Sequence, residues 1–485
     1  MNWSESQIEI FNTYTKEDCN IAIKAGPGSG KTTVLRQLCK LTPRSCKSIF
    51  LAFNKSIVEE LQSKLPSGVE VSTLHSLGCR SLYWEYGNVK VVPSKTFGVL
   101  KKLESKHMKE DLKGIKNPNY YLYNLTQLYD VYRMNLLTNP EEVESYSYKY
   151  SLDWDSMVLK HLTLLVDTMS KVNRFRGSTF EIDYVDMIYL PIIKNFNLPR
   201  YDRVFVDESQ DLNLCQHKLI DRLLGRSSKL ITVGDENQCI YSFLGASPDS
   251  FRTLSQRENT KLLSLPITYR CPRKVVELVN TVYDCVKLPD TAIDGEVLFD
   301  GDWRDIEVGD MVLCRNNKPL LQLYFKLLSI GKRSYIRGQE YGVGIVKLIE
   351  PYKNYTIEHC IEELYIQLEE LESKLVEQGV TNPRKSTSYI RLSDNIELIK
   401  IISIKYTGVS EILPIVTDIF KDKGEGVLLS TIHKAKGLEA DNVFLLDRGL
   451  IPSKYAEQAW EKEQEKKLLF VAYSRPKKKL IFINS

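Results

Sequence analysis

Residues 25–33 read Ala-Gly-Pro-Gly-Ser-Gly-Lys-Thr-Thr. Glycines at 26, 28 and 30 let the backbone turn tightly enough to aim successive N–H groups at one anion. Lys31 and Thr32 then add an ammonium and a hydroxyl where a helix would begin. This is the chemistry of a phosphate-binding loop: the stretch from Ala25, Gly26, Gly28, Ser29 and Gly30 to Thr33 cradles phosphates, and Lys31 reaches the β- and γ-phosphates of a nucleotide. The Thr32 hydroxyl binds Mg²⁺. The pattern fits from its Gly-Lys-Thr end, with Ala25 where the first glycine is expected. Farther on, VFVDESQD ends an apolar run in the carboxylate pair Asp207 and Glu208. Asp207 is placed to hold Mg²⁺, and Glu208 to polarise an attacking water. Together these residues describe a hydrolase of nucleoside triphosphates.

Such a loop works between a strand and a helix, and the flanking sequence supplies both. An apolar run, Ile21–Ile23, precedes it and VLRQLCKL follows. The alternation repeats in SIFLAF with SIVEELQSKL, in RVFVDE with CQHKLIDRLL, and in KLITVGD. Strands alternating with helices predict an α/β fold with a parallel sheet flanked by helices on both faces. From Leu82 to about Phe180 the chain turns lysine- and tyrosine-rich, which reads as a mostly helical insertion. A second α/β pattern starts near Pro272 with EVLF and DMVLC, breaks after Gly344, and returns with GVLLST, NVFLLD and KLIFI. The expected organisation is a first domain from residues 1–81 and 181–268 with an insertion at 82–180. A second domain follows from 269–344 and 424–485, with a shorter helical insertion at 345–423.

Within the second insertion, Ile361, Leu364, Leu368, Leu371 and Leu375 step by three or four, predicting one helix that Gly379 ends. The stripe is barely two heptads long, which favours packing on neighbours over a dimerising coiled coil. In the first insertion, Lys95, Lys101, Lys102, Lys106, Lys109, Lys113 and Lys116 read either as a path for a nucleic-acid strand or as a solvated helix face. Tyr120, Tyr121, Tyr123, Tyr129 and Tyr132 read as core.

The 485 residues contain 43% apolar and 26% charged side chains, which excludes a disordered tail. Basic and acidic groups, 66 against 62, leave a net charge of +4, too balanced to announce nucleic-acid binding by itself. None of the ten cysteines forms a CxxC pair, and no signal or spanning segment appears. A cytoplasmic protein with no membrane contact is expected.

Taken in order, the motifs resemble those of UvrD/Rep-type helicases of superfamily one, nearly from end to end. SESQIEI, the phosphate loop, AFNKSIVEEL, STLHSLG and DESQD are followed by VGDENQCIYSFLGA and LPITYRC. VLCRNN, STIHKAKGLEADNVFLL and KKLLFVAYSR complete the series. The resemblance implies two RecA-like domains with ATP and Mg²⁺ between them. Gln7 would read the adenine, Tyr269 would stack on it, and Gly437 and Glu439 would lie at the nucleotide, Glu439 on its ribose. Lys31, Thr32, Asp207, Glu208 and Gln238 would act from the first domain, and Arg270 and Arg475 of the second would reach the γ-phosphate.

For DNA, the resemblance brings Asn54, Lys55, Thr73, His75, Thr431 and His433 to the phosphodiester backbone. Tyr241 and Phe243, two residues apart and on one side of an extended chain, would stack on bases. It also implies 3′→5′ movement on single-stranded DNA, work at single/double-strand junctions as a monomer, and use in DNA repair or replication. A translocase that displaces proteins with weak unwinding, and a DNA-sensing ATPase switch, are the alternative readings. The chain departs from the family pattern at Leu244, where an arginine is usual, and at Thr268, where an asparagine is usual. Its second insertion is much shorter than the accessory subdomain of full-length members, and the chain stops just past KLIFI.

Overall fold

The computed structural model describes residues 3–113, 115, 118–150, 152–173, 179–240, 249–377, 382–454 and 456–485. Two compact units divide the chain, Met1–Pro266 and Ile267–Ser485.

The first unit is built on β1 (Asn20–Ala25), β2 (Ser48–Leu51), β3 (Val69–Ser72), β6 (Tyr201–Val206), β7 (Leu224–Gly234) and β8 (Thr260–Leu265). A further pair, β4 (Val89–Val91) and β5 (Phe180–Ile182), stands apart. The main sheet runs β3-β2-β6-β7-β1-β8 with every pairing parallel. Its central strands are continuous apolar runs because both faces are covered. Ile49, Leu51, Val204, Val206 and Leu230 enter one core with the helices Leu74–Tyr86, Asp186–Ile193 and Leu214–Leu223. Phe50, Phe205, Ile231 and Val233 enter the other, with Glu5–Lys16, Lys31–Leu41 and Lys55–Gln62. Neighbours along one strand thus serve opposite layers. One helix crossing is set by a glycine: a Cβ at Gly78 would stand 1.9 Å from the Met187 carbonyl oxygen.

The first insertion carries its own apolar core, centred on Leu100, Leu122, Leu125, Leu128, Leu162 and Leu165. Tyr121, Tyr129 and Tyr132 are buried in it, whereas Tyr123 is exposed. A buried charge cluster ties this core to β5 and the helix after it. The Arg133 Nη1 donates to Asp183 (2.8 Å) and Asp186 (2.7 Å), and its Nη2 to Asp130 (2.5 Å). Lys95 Nζ donates to Asp186 and Asn173, each at 2.6 Å. Lys95 therefore does not share the fate expected of the lysine series: it is 5% exposed, and its charge is spent inside the fold. Lys101 and Lys113 do stand at the surface, paired with Glu104 and Glu110. Lys116 lies outside the described residues.

In the second unit β9 (Glu296–Leu298), β10 (Met311–Cys314), β11 (Ser334–Arg337), β12 (Phe420–Lys421), β13 (Val427–Thr431), β14 (Ala440–Leu446) and β15 (Pro476–Ile483) form one sheet. The order is β12-β11-β13-β10-β14-β15-β9, again all parallel. Both units have the layered parallel-sheet architecture of RecA-like domains. Leu364, Leu368, Ile396 and Ile399 join Val312, Ile336, Leu429 and Phe444 in a single cluster. The stripe helix runs Ile357–Glu377 and packs within its own unit, with Leu364 and Leu375 fully buried. Gly379 lies outside the described residues. Among the described residues no helix is long and apolar enough to cross a membrane.

Candidate active site

β1 delivers the chain to the phosphate loop at buried Ala25, and Gly26 N donates to the Leu265 carbonyl of the neighbouring strand (3.1 Å). Ser29 Oγ donates back to Gly26 O at 2.8 Å, closing the turn. Gly28 and Gly30 take φ of +66° and +82°, a left-handed backbone that side chains with a Cβ resist. The helix Lys31–Leu41 starts at Gly30 with no side-chain cap. Its first N–H groups are therefore available to an anion. Gln7 is buried and accepts from Ser4 N through Oε1 (3.0 Å). Its Nε2 lies 3.8 Å from where a Cβ on Gly30 would stand, so the first helix does bring Gln7 to the loop. Thr33 touches the same spot.

The Lys31 ammonium is buried and has no hydrogen-bond partner, its nearest acid being Glu208 Oε1 at 3.9 Å. A buried ammonium without acceptors is costly, and a phosphate supplies those acceptors. Thr32 Oγ1 donates to Asp207 Oδ2 at 3.0 Å. Burial, and then the neighbouring Glu208, push the Asp207 carboxyl up to about 6. A hydroxyl beside a carboxylate is the protein's usual share of a Mg²⁺ site that phosphates and waters complete. The loop, the orphaned ammonium and this pair fit Mg²⁺-bound nucleoside triphosphate.

Glu208 follows β6 in the left-handed region, φ +50° and ψ +41°, a conformation that costs a non-glycine residue energy and occurs where a site requires it. Behind it, the end of β7 approaches closely: a Cβ at Gly234 would meet Phe251, Gln210 and Ser209 within 2.8–2.9 Å. Asp235 is 4% exposed, and burial raises its carboxyl above the usual range. That carboxylate accepts from Gln238 Nε2 at 2.5 Å, which fixes the candidate Gln238 beside the acidic pair's strand. Asp235 was not singled out from sequence, although it stands within a quoted motif; Gln210 was noted there only as part of the Gln-Asp that follows the acidic pair.

The nucleic-acid candidates of this unit lie past the carboxyl ends of β2 and β3, on the sheet edge that carries the phosphate loop. Asn54 and Thr73 are N-caps: Asn54 Oδ1 accepts from Ile57 N and Thr73 Oγ1 from Ser76 N, each at 3.0 Å. Lys55 and His75 are exposed, and so is Phe53, an aromatic beside Asn54 that spacing alone did not mark. Tyr241 and Phe243 lie outside the described residues, as does Leu244.

In the second unit, Tyr269 is exposed and Thr268 is buried. The Thr268 Oγ1 accepts from Arg270 N (3.3 Å) and Cys271 N (3.4 Å), so the threonine makes the turn contacts open to an asparagine there. Arg270 Nε and Nη2 both lie 2.6 Å from Glu439 Oε2. Against the upward push of burial, Lys477 and Arg270 hold the Glu439 carboxyl below its ordinary range. Gly437, φ +84°, opens this loop. Arg475 is 1% exposed and donates to Val471 O (2.8 Å), Leu438 O (3.3 Å) and Ser474 Oγ (2.8 Å). The two arginines and Glu439 thus form one neighbourhood within their unit. Thr431 closes β13, and burial with Arg315 pushes the nearby His433 imidazole down to about 3.

Two family models and several known proteins match this chain. The model for the UvrD/REP helicase N-terminal domain matches residues 3–259, and that for the UvrD-like helicase C-terminal domain matches 345–485. F-box DNA helicase protein 1 of Schizosaccharomyces pombe is 24% identical over 95% of this chain and 55% of its own length. F-box DNA helicase 1 of Gallus gallus is 23% identical over 99% and 49%. The ATP-dependent DNA helicase Rep of Escherichia coli is 24% identical over 53% and 40%. The chain spans about half the length of the curated relatives it matches. The N-terminal match alone takes in the phosphate loop, the acidic pair and Gln238, and by it the chain belongs to the UvrD/Rep helicase family.

Proposed function

We propose that the protein is an ATP-driven motor that moves 3′→5′ along single-stranded DNA and unwinds the duplex it meets. The observation that carries this reading is the buried Lys31 ammonium without a hydrogen-bond partner, set beside the Thr32–Asp207 pair and Glu208. Lys31 and the N–H groups of the loop bind the β- and γ-phosphates, and Glu208 accepts a proton from the attacking water. Thr32 and Asp207 hold Mg²⁺, which when bound offsets charge on the phosphate oxygens. Arg270 and Arg475, carried over from the family pattern, stabilise the γ-phosphate during transfer, a role worth about 10³–10⁵ in rate. Turnover then requires residues of both units.

The relatives' names, DNA helicases all, support DNA as the polymer. The helix starts at Asn54 and Thr73 offer backbone N–H groups to phosphates, contacts that read no sequence. Duplexes with a 3′ tail, a 5′ tail or no tail test the proposal. With ATP and Mg²⁺ the protein is expected to open the 3′-tailed duplex, and Lys31→Ala and Glu208→Gln variants to open none. Preference for the 5′ tail would overturn the polarity. A second reading, protein displacement with weak unwinding, is favoured by one observation: among the described residues, Leu364, Leu368, Ile396 and Ile399 of the segment 345–423 share the sheet's core. Displacement of streptavidin from end-biotinylated single strands, without strand separation on any duplex, would select it.

A further inference from the structure

Gln210 occupies the turn Ser209–Asp211 just past β6 and is 1% exposed. Both ends of its carboxamide are engaged. Nε2 donates to Glu208 Oε2 at 2.6 Å, with Asp211 Oδ2 at 3.4 Å, and Oε1 accepts from Asp235 N at 3.0 Å. One side chain therefore joins the end of β6 to the end of β7. Space for it is kept by Gly234, where a Cβ would stand 2.9 Å from Gln210 Oε1 and 2.8 Å from the Phe251 ring.

We infer that Gln210 is a positioning residue for ATP hydrolysis, fixing the Glu208 carboxylate and tying it to the segment that begins at Asp235. The inference rests on the ATPase reading given above. Glu208 is a flexible side chain on a left-handed backbone, and it can turn about its own bonds unless something holds it. The amide of Gln210 holds Oε2, and Oε1 is left on the side of Lys31, 3.9 Å from the ammonium. An amide donates a hydrogen bond without giving up its proton, so Gln210 orients the base without protonating it. The far end matters as much. Asp235 carries Gln238 on its carboxylate, so Glu208, Gln210, Asp235 and Gln238 form one continuous hydrogen-bonded chain.

Two variants test the role. Gln210→Met removes both hydrogen bonds. Gln210→Glu keeps an acceptor for Asp235 N and sets an oxygen against Glu208 in place of the donor, so the fold retains its tie. Both are expected to lower kcat for ATP about 10- to 100-fold, as befits a lost hydrogen bond to a charged group. KM for ATP and the Kd of a fluorescent non-hydrolysable ATP analogue are expected to change less than about twofold, since Gln210 touches Glu208 and not the phosphate loop. In a Glu208→Ala background, adding Gln210→Met is expected to change the residual rate no further, because its effect runs through the missing carboxylate. A normal kcat in Gln210→Glu overturns the inference. So does a rise in the analogue's Kd matching the loss in kcat, or a further fall in the Glu208→Ala background. A wild-type chain without ATPase activity sinks the parent reading. A wild-type chain that hydrolyses ATP while both Gln210 variants match it sinks this inference alone.

Discussion

A carboxyl group kept out of water holds its proton, and Asp207 sits where that tendency opposes its proposed task. It is 5% exposed, and burial and then Glu208 lift it to about 6, against the pull of Lys31 and Thr32. A carboxyl whose folded value lies above its unfolded one binds its proton more tightly when folded. Its charge costs nothing below about pH 4 and its full penalty above about pH 6, so stability from this group falls as pH rises through that window. At neutral pH the protein therefore carries a charge that Lys31 and Thr32 offset only in part, and that a cation at Thr32 and Asp207 would offset further. Asp207→Asn is expected to raise the Tm of the nucleotide-free protein by about 2–4 °C at pH 7.5 and by much less at pH 4.5. It is also expected to abolish the further rise that Mg²⁺ with ATP gives the wild type. Calorimetry at both pH values checks this, and a variant less stable than wild type at pH 7.5 would refute it. The same burial acts oppositely on His433, held near 3 and so neutral at physiological pH.

The two insertions are attached by different physics. The second shares an apolar core with its sheet, whereas the first has a core of its own and meets its host through Val89 and Phe180, which enter the host's core, and through the buried Arg133–Asp183–Asp186–Lys95 cluster. Removing the arginine leaves Asp183 and Asp186 with one lysine in a dry site, a change that costs about 3–5 kcal/mol. Arg133→Met is expected to lower the Tm and to make residues 82–180 the first segment cut in limited proteolysis; an unchanged cleavage pattern would show that the apolar contacts suffice. The cluster as a whole was not legible in the sequence, because Lys95, Arg133 and the Asp183–Asp186 pair are about 40–50 residues apart from one to the next and no spacing links them. The phosphate loop was legible because its parts are contiguous, and the inner strands because parallel strands covered on both faces are unbroken apolar runs. The outer strands of the first sheet were not. β3 and β8 are the two edges of the first sheet, and Glu70 and Lys261 interrupt their short apolar patterns. Gln210 shows the same limit at the site: its neighbour Glu208 is two residues away, but its other partner, Asp235, lies on a different strand's end.

At the scale of the whole chain, the division falls at Pro266, and each unit is one continuous stretch with its own parallel sheet and its own buried clusters. The near balance of 66 basic and 62 acidic groups suits a protein that grips a polyanion through a few placed contacts, because each phosphate held by a cation adds to the salt dependence of binding. Continuity makes the division of labour testable. Residues 1–266 contain the phosphate loop, Thr32, Asp207, Glu208, Gln210 and Gln238, and every strand of their sheet. Arg270 and Arg475 lie beyond them. A fragment ending at Pro266 is therefore expected to fold, to unfold cooperatively in circular dichroism, and to bind the non-hydrolysable ATP analogue. It is expected to hydrolyse ATP at least about 10³-fold more slowly than the full chain, the loss attached to missing arginines in phosphoryl transfer. Hydrolysis at the full-chain rate would remove both arginines from the mechanism. A folded fragment that fails to bind the analogue would mean that nucleotide affinity itself, and not only catalysis, depends on residues past 266.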